Sequence, residues 1–136
     1  MGLAERRAAA AFEKDRYPAL KKEIDAALGR ELPIEVAWTE LAKDGFQDSY
    51  DVAFSSNFFV PLKKAIEAIC ADDLGKGAFA ERVKKVEVLN KRPWSSLEVT
   101  LDGTTLRLDA DPSYDRDGSC VEDYTKRIVS LLESKL

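Results

Sequence analysis

The side chains that could perform chemistry are few in this chain of 136 residues. There is no histidine, which excludes Ser-His-Asp and Cys-His nucleophile pairs, a histidine general base and zinc sites built on imidazole. Cys70 and Cys120 are fifty residues apart, which excludes a cysteine-rich zinc or iron–sulfur site and favours two reduced thiols. The sequence therefore predicts no cofactor and leaves catalysis to carboxylates, Lys, Tyr or Cys.

One group of carboxylates is dense enough to consider as a cation site. Four aspartates fall within nine residues, directly before Gly118: Asp109, Asp111, Asp115 and Asp117. Oxygen-rich loops of this kind are typical of calcium sites. Aligned on Gly118, however, an EF-hand would need its first Asp at Ser113 and its bidentate Glu at Tyr124. We therefore expect the acids to form turns and cap the next helix, with a weak Ca²⁺ or Mg²⁺ site as the alternative.

A tryptophan beside two cations is the candidate for partner binding. Trp94 lies in the run Lys91-Arg92-Pro93-Trp94-Ser95-Ser96, which connects two predicted strands. An indole in this position either folds back over the sheet edge or contacts a partner, since Trp and Arg are favoured at binding hot spots. Trp94, Arg92 and Lys91 are the predicted partner-binding residues. Trp38, by contrast, is predicted to lie on the apolar face of a strand.

Alternating apolar residues predict the strands that position these loops. Asp102-Gly103 between two alternating runs is typical of a two-residue type I′ hairpin loop. That loop would place Leu101 opposite Thr104 and Glu98 opposite Arg107. Four strands are predicted, near residues 34–38, 85–90, 97–101 and 104–109.

Helical patterns occupy most of the remaining chain. Residues 3–29 predict a helix that kinks or restarts at Pro18, and its first part, residues 1–16, is expected to be a frayed arm. Residues 39–59 favour helix over extended chain. Further helices are predicted over 60–74 and 119–135, the last with Ser119 and Glu122 as a capping box.

Together these elements predict one α+β domain spanning residues 1–136. Its sheet of about four strands is expected to be mostly antiparallel, to end in a three-strand meander and to carry helices on one face.

The charge distribution argues against nucleic acid as a partner. The net charge is −4, and stretches of opposite sign alternate, with 8 basic and 5 acidic residues in 61–92 followed by 5 basic and 9 acidic in 93–136. Nucleic-acid binding needs a continuous positive face. We also find no signal-peptide core and no apolar run long enough for a membrane span, so a cytoplasmic protein is predicted.

The sparse catalytic inventory favours a non-catalytic protein-interaction module of the adaptor, chaperone or inhibitor type. In size, acidity and element order the chain is similar to small bacterial secretion chaperones and immunity proteins, a likeness of layout that implies no functional residue. The alternative is a small hydrolase, or a metal- or ligand-binding domain, that uses the 109–117 carboxylates. A homodimer formed through the sheet edge or the N-terminal helix is a further possibility.

Overall fold

The computed structural model describes residues 2–136. Two helices open the fold, α1 at Leu3–Asp15 and α2 at Tyr17–Leu28. The chain breaks between them just before Pro18, as predicted, because proline fits the first turn of a helix but not its interior. Ala9 and Phe12 of α1 are buried. Whether residues 1–16 fray stays a prediction, and Met1 lies outside the described residues.

Short helical segments occupy most of residues 38–82, in agreement with the helix favoured for 39–59, although residues 42–46 are not helical. They comprise α3 (Trp38–Leu41), a 3₁₀ turn (Gln47–Ser49), α4 (Tyr50–Phe54), a π-helical segment (Ser55–Phe59), α5 (Val60–Ile69) and α6 (Asp73–Arg82). Trp38 begins a helix rather than ending a strand, so its predicted position on a strand face is wrong. Its indole nevertheless packs against the core, as the sequence led us to expect.

Four strands form one mixed sheet in the order β1-β2-β4-β3. They are β1 (Ile34–Val36), β2 (Lys85–Leu89), β3 (Glu98–Asp102) and β4 (Thr105–Asp109). The β1–β2 and β2–β4 pairs are parallel, and only β3 and β4 are antiparallel. The prediction of a mostly antiparallel sheet with a three-strand meander is therefore wrong, although the number and positions of the strands are confirmed.

Burial explains the order of the strands. Val86 and Val88 of β2 are fully buried, which suits a strand with a neighbour on each side, whereas β3 is half-exposed and takes the edge. The connection from β2 to β3 therefore has to pass β4. That crossing segment is the one that carries Trp94.

The β3–β4 hairpin forms, but its register differs from the predicted one. Asp102 pairs with Thr105 and Thr100 with Arg107, so the two-residue loop is Gly103-Thr104. A type I′ loop needs positive φ at both central residues; here Gly103 has φ +62° and Thr104 does not have a positive φ. This is the type II′ pattern, with glycine in the first central position.

The sheet has one apolar and one polar face. Val86, Val88, Leu106 and Leu108 face the helices and are fully buried, while charged side chains line the opposite face. On that face Arg107 forms two ion pairs: its Nε lies 3.0 Å from Glu87 Oε1, and its Nη1 lies 2.8 Å from Asp102 Oδ2. The chain is thus an α+β fold whose four-stranded sheet packs against helices.

The final helix, α7, spans Val121–Lys135 and packs against α5 and β3. The predicted capping box is wrong, because the helix has no side-chain cap. The Ser119 hydroxyl instead donates to Asp115 Oδ2 at 2.8 Å. None of the helices in residues 2–136 combines the length and the apolar character that a membrane crossing requires.

Candidate functional site

The only fully buried carboxylate in the 109–117 loop belongs to Asp111, whose relative exposure is 0%. Its Oδ1 accepts from the Ser113 backbone N–H at 3.0 Å and from the Ser113 hydroxyl at 2.6 Å. Its Oδ2 accepts from Lys43 Nζ at 2.9 Å and from the Trp94 backbone N–H at 2.7 Å. One side chain therefore ties together the segment after α3, the β2–β3 connection and its own loop.

These partners keep Asp111 ionised. Burial by itself would raise the pKa of the carboxyl, but the hydrogen bonds from Ser113, Trp94 and Lys43 outweigh it and lower the pKa below the ordinary value of 3.8. Charge-assisted hydrogen bonds of this kind are about twice as strong as neutral ones. Asp111 is thus a fixed anchor rather than a proton carrier.

The residue that this anchor holds is Trp94. Its backbone has φ +58°, the only positive φ among the non-glycine residues of 2–136. Its side chain is nevertheless 68% exposed, and within the described chain its indole makes no ring–ring or cation–ring contact. The structure therefore holds a strained backbone in place and directs a large apolar side chain into solvent.

A second exposed aromatic residue depends on the same aspartate, and the sequence analysis missed it. The Tyr114 backbone N–H donates to the Asp111 carbonyl oxygen at 3.0 Å, and the residue is 57% exposed. The run Asp111-Pro112-Ser113-Tyr114 is typical of a turn with proline in its second position and an Asp side chain that bonds two residues ahead. That pattern could have identified Tyr114 as a presented residue.

Lys91 and Arg92 precede Trp94 in the same connection, and both help to hold it; their role in partner binding stays a prediction. Lys91 Nζ pairs with Glu40, a hydrogen bond that raises the pKa of the lysine. Arg92 Nη2 donates to the Ser96 carbonyl oxygen at 3.0 Å, and its Nη1 lies 3.6 Å from Glu98 Oε2. Each cation therefore already has a carboxylate partner within the chain.

The other three candidate metal ligands do not converge on one place: Asp109 lies beside Lys91, whereas Asp115 and Asp117 both bind Ser119. Asp109 Oδ1 accepts from the Lys91 N–H at 2.9 Å. Asp115 accepts from the Gly118 N–H at 3.3 Å, and Asp117 accepts from the Ser119 N–H at 3.0 Å, a bond that lowers the pKa of Asp117. Across residues 2–136, no three His, Cys, Asp or Glu side chains are grouped so that they could hold a metal ion.

The acidic loop is fixed to the π-helical segment beneath it. Asn57 is fully buried, and its Nδ2 donates to the Asp115 carbonyl oxygen and to the Ala53 carbonyl oxygen, each at 2.8 Å. Gly118 has φ +90°, and a Cβ at that position would come within 3.2 Å of Ser56 Oγ. The loop that carries Tyr114 is therefore packed against the helices rather than suspended in solvent.

Neither cysteine is activated. Cys120 is buried, and burial, reinforced by the negative charge of Asp115, raises the pKa of its thiol to about 12. Burial also raises the pKa of the half-buried Cys70. Both thiols therefore stay protonated at neutral pH, as expected for packing residues.

Searches with this chain found no matching family model, no matching curated protein and no matching solved structure.

Proposed function

We propose that this protein is a non-catalytic protein-interaction module, of the adaptor, chaperone or inhibitor type. Trp94, with Arg92 and Lys91 beside it, forms the centre of the surface that contacts the partner. We propose that Tyr114, a second exposed aromatic residue in the loop that begins at Asp111, extends that surface.

The conformation of Trp94 is the observation that carries the proposal. A left-handed backbone costs an L-residue about 1–2 kcal/mol relative to the usual conformations. In Trp94 this cost is combined with 68% exposure of the side chain, so little burial inside the chain offsets it. Strained residues held by a buried network are concentrated at functional sites. Partner contact is a role that would account for both features.

The chemistry of the neighbours supports the same role. Trp, Tyr and Arg are the residue types enriched at interface hot spots, and the proposed surface contains Trp94, Tyr114 and Arg92. Arg92 is held by Ser96 and Glu98, so little side-chain freedom would be lost when a partner binds. A preorganised, aromatic contact surface follows from these features.

The alternative function, a metal- or substrate-binding site in the 109–117 loop, has weaker support. The oxygens of Asp111 are taken by donors of the chain, and Asp109 and Asp115 each hold a neighbouring backbone N–H. A cation would have to displace those donors. The geometry therefore favours the interaction surface.

The test is affinity capture, in which the purified protein and its Trp94→Ala variant are used as bait in parallel. The amount of each protein that binds to either bait is measured. Leu74→Ala is the matched control, because Leu74 is an even more exposed apolar residue, at 84%, in helix α6 and away from the Trp94 connection. We expect at least one partner to bind the wild type and the Leu74→Ala variant equally well and to be lost with Trp94→Ala. Equal recovery of every partner by Trp94→Ala would contradict the proposal.

A further inference from the structure

The outer edge of β3 has unpaired backbone groups. The two-residue loop makes Asp102 and Thr105 a hydrogen-bonded pair, and such pairs alternate along an antiparallel ladder. Thr100 and Glu98 are therefore bonded to β4 as well. The N–H and C=O groups of the intervening Val99 and Leu101 point away from β4, and no hydrogen bond from elsewhere in residues 2–136 reaches them.

The same edge has incompletely buried apolar side chains beside it. Val99 and Leu101 lie on the apolar face of the sheet but are only half-buried, in contrast to Leu106 and Leu108 of β4. Helix α7 packs under β3, and its Arg127 reaches the start of the edge by donating to the Leu97 carbonyl oxygen at 2.8 Å. Arg127 does not bond the backbone groups of Val99 and Leu101, which lie further along the edge.

Helical spacing predicts that Leu131 of α7 extends the half-buried apolar patch formed by Val99 and Leu101. Leu131 follows Arg127 by one helical turn, so the two side chains lie on the same side of α7, and Leu131 is also half-buried. A strand added to β3 would place alternate side chains over Val99, Leu101 and Leu131 and remove them from water.

Charge on the other face selects the type of strand. The exposed side chains of β3 there are Glu98, Thr100 and Asp102. Glu98 lies 3.6 Å from Arg92 and Asp102 lies 2.8 Å from Arg107, but both ion pairs are solvent-exposed, and such pairs contribute only about 0–1 kcal/mol. If a second copy of this chain paired antiparallel along the whole edge, Glu98 would stand opposite Asp102 of the other copy, and like charges opposite each other are destabilising. A strand with Lys or Arg at those two positions would instead form opposite-charge pairs.

We propose that the β3 edge binds an extended protein segment by strand addition. The segment has basic residues opposite Glu98 and Asp102 and apolar residues opposite Val99 and Leu101. This inference rests on the proposed function, since Trp94 precedes Glu98 by only four residues and would contact the same partner at the end of the added strand. Backbone hydrogen bonds give such a complex its affinity and the alternating side chains give its specificity.

The first test uses a synthetic peptide whose central residues alternate as Lys-Val-Thr-Val-Lys, and a control peptide with Glu in place of each Lys. Amide hydrogen exchange is measured by NMR on the free and the peptide-bound protein. In the free protein we expect Val99 and Leu101 to exchange much faster than Thr100. The basic peptide should slow exchange at Val99 and Leu101 at least tenfold, and the acidic peptide should not.

Two variants separate the backbone from the charge. Val99→Pro removes an outward N–H without removing a bond to β4, and should weaken basic-peptide binding at least tenfold. The double variant Glu98→Lys/Asp102→Lys removes the ion pairs with Arg92 and Arg107 but keeps every backbone N–H and C=O of the edge. It should reverse the preference between the two peptides, which keeps the proposal testable if Val99→Pro does not fold.

Three results would overturn the strand-addition proposal: no binding of the basic peptide, protection at a different surface, or protection of Val99 and Leu101 in the free protein together with a dimer in light scattering. The last result would identify a second copy as the occupant. If the edge variants leave a captured partner bound while Trp94→Ala releases it, strand addition fails and the interaction function stands.

Discussion

The two tryptophans of this chain lie in regions that are organised in opposite ways. Trp38 packs among aromatic rings, with centroids 5.8 Å away for Phe12, 5.3 Å for Tyr17 and 6.2 Å for both Phe54 and Phe59. Trp94 makes no such ring contact within residues 2–136 and is fixed through its backbone N–H, 2.7 Å from Asp111 Oδ2. The first indole packs against the core, and the second is held away from it.

The difference separates residues that stabilise the fold from residues that the fold presents. Aromatic pairs at these distances add about 0.5–1.5 kcal/mol each beyond the apolar area that they bury. A positive φ at a non-glycine residue has the opposite effect, because the strained backbone lowers the free energy of unfolding. If this contrast is correct, mutations in the two regions should differ in both the size and the direction of their effect on the free energy of unfolding.

The largest effect is expected in the aromatic cluster around Trp38. Phe54 is fully buried, with ring centroids 5.2 Å from Phe12 and 4.7 Å from Tyr50. Phe54→Ala should lower the free energy of unfolding by about 3–5 kcal/mol, because it leaves a cavity that the neighbouring rings fill only in part. Trp94→Ala should change it by less than about 0.5 kcal/mol. Urea denaturation followed by circular dichroism measures both, and losses of similar size would remove the contrast.

A smaller loss is expected at the anchor that joins the two regions. Asp111→Ala should lower the free energy of unfolding by about 2–3 kcal/mol, because it leaves the Trp94 N–H and the Lys43 ammonium without an acceptor. Asp109→Ala is the matched control, since its carboxylate holds a single exposed N–H, that of Lys91, and should cost about 1 kcal/mol or less. Equal losses in the two variants would show that Asp111 is not a special anchor.

The same anchor predicts how stability depends on pH. The pKa of Asp111 is lower in the folded protein than its ordinary value of 3.8. At pH values between the folded pKa and 3.8, the unfolded chain therefore binds more protons than the folded protein does. Its stabilisation is therefore fully present above pH 3.8 and is lost as the pH falls through the lower folded value. Asp111→Asn should make the acid side of the stability curve less steep than in the wild type. An unchanged slope in titrations of the two proteins would contradict this assignment.

The sequence predicted the elements better than their arrangement. Alternation at Val86, Val88, Leu106 and Leu108 located two strands correctly, since these side chains must be buried wherever the strands lie. Strand order depends instead on which strand has a neighbour on each side. Local patterns carry no such information, and consecutive strands were therefore expected to be adjacent.

Errors in the turn and the cap have a similar origin. Asp102-Gly103 indicated a hairpin, but positive φ at Gly103 alone satisfies a type II′ loop one residue further along. Ser119 and Glu122 have the spacing of a capping box, but the Ser119 hydroxyl binds Asp115. In both cases the local pattern allowed two arrangements: two positions for the hairpin loop, and two bonding partners for Ser119. Contacts with the rest of the fold selected one of them.

Three of the four residues of the candidate surface follow from the sequence, and Tyr114 was missed. Trp94, Arg92 and Lys91 were identified from residue type and loop position. The burial of Asp111 could not be predicted from the sequence, because it depends on Lys43, which lies 68 residues earlier in the chain. From the sequence pattern alone, Asp111 falls with Asp109, Asp115 and Asp117 as a possible cation ligand.

The most direct test of the contrast is the free energy of unfolding of Trp94→Gly, measured by urea denaturation beside the wild type. Glycine adopts a φ of +58° without a Cβ clash and keeps the N–H that donates to Asp111. If Trp94 is presented to a partner at the expense of stability, Trp94→Gly should be more stable than the wild type by about 0.5–1 kcal/mol. A loss of more than about 1 kcal/mol would mean that the indole stabilises the fold, and would contradict the account.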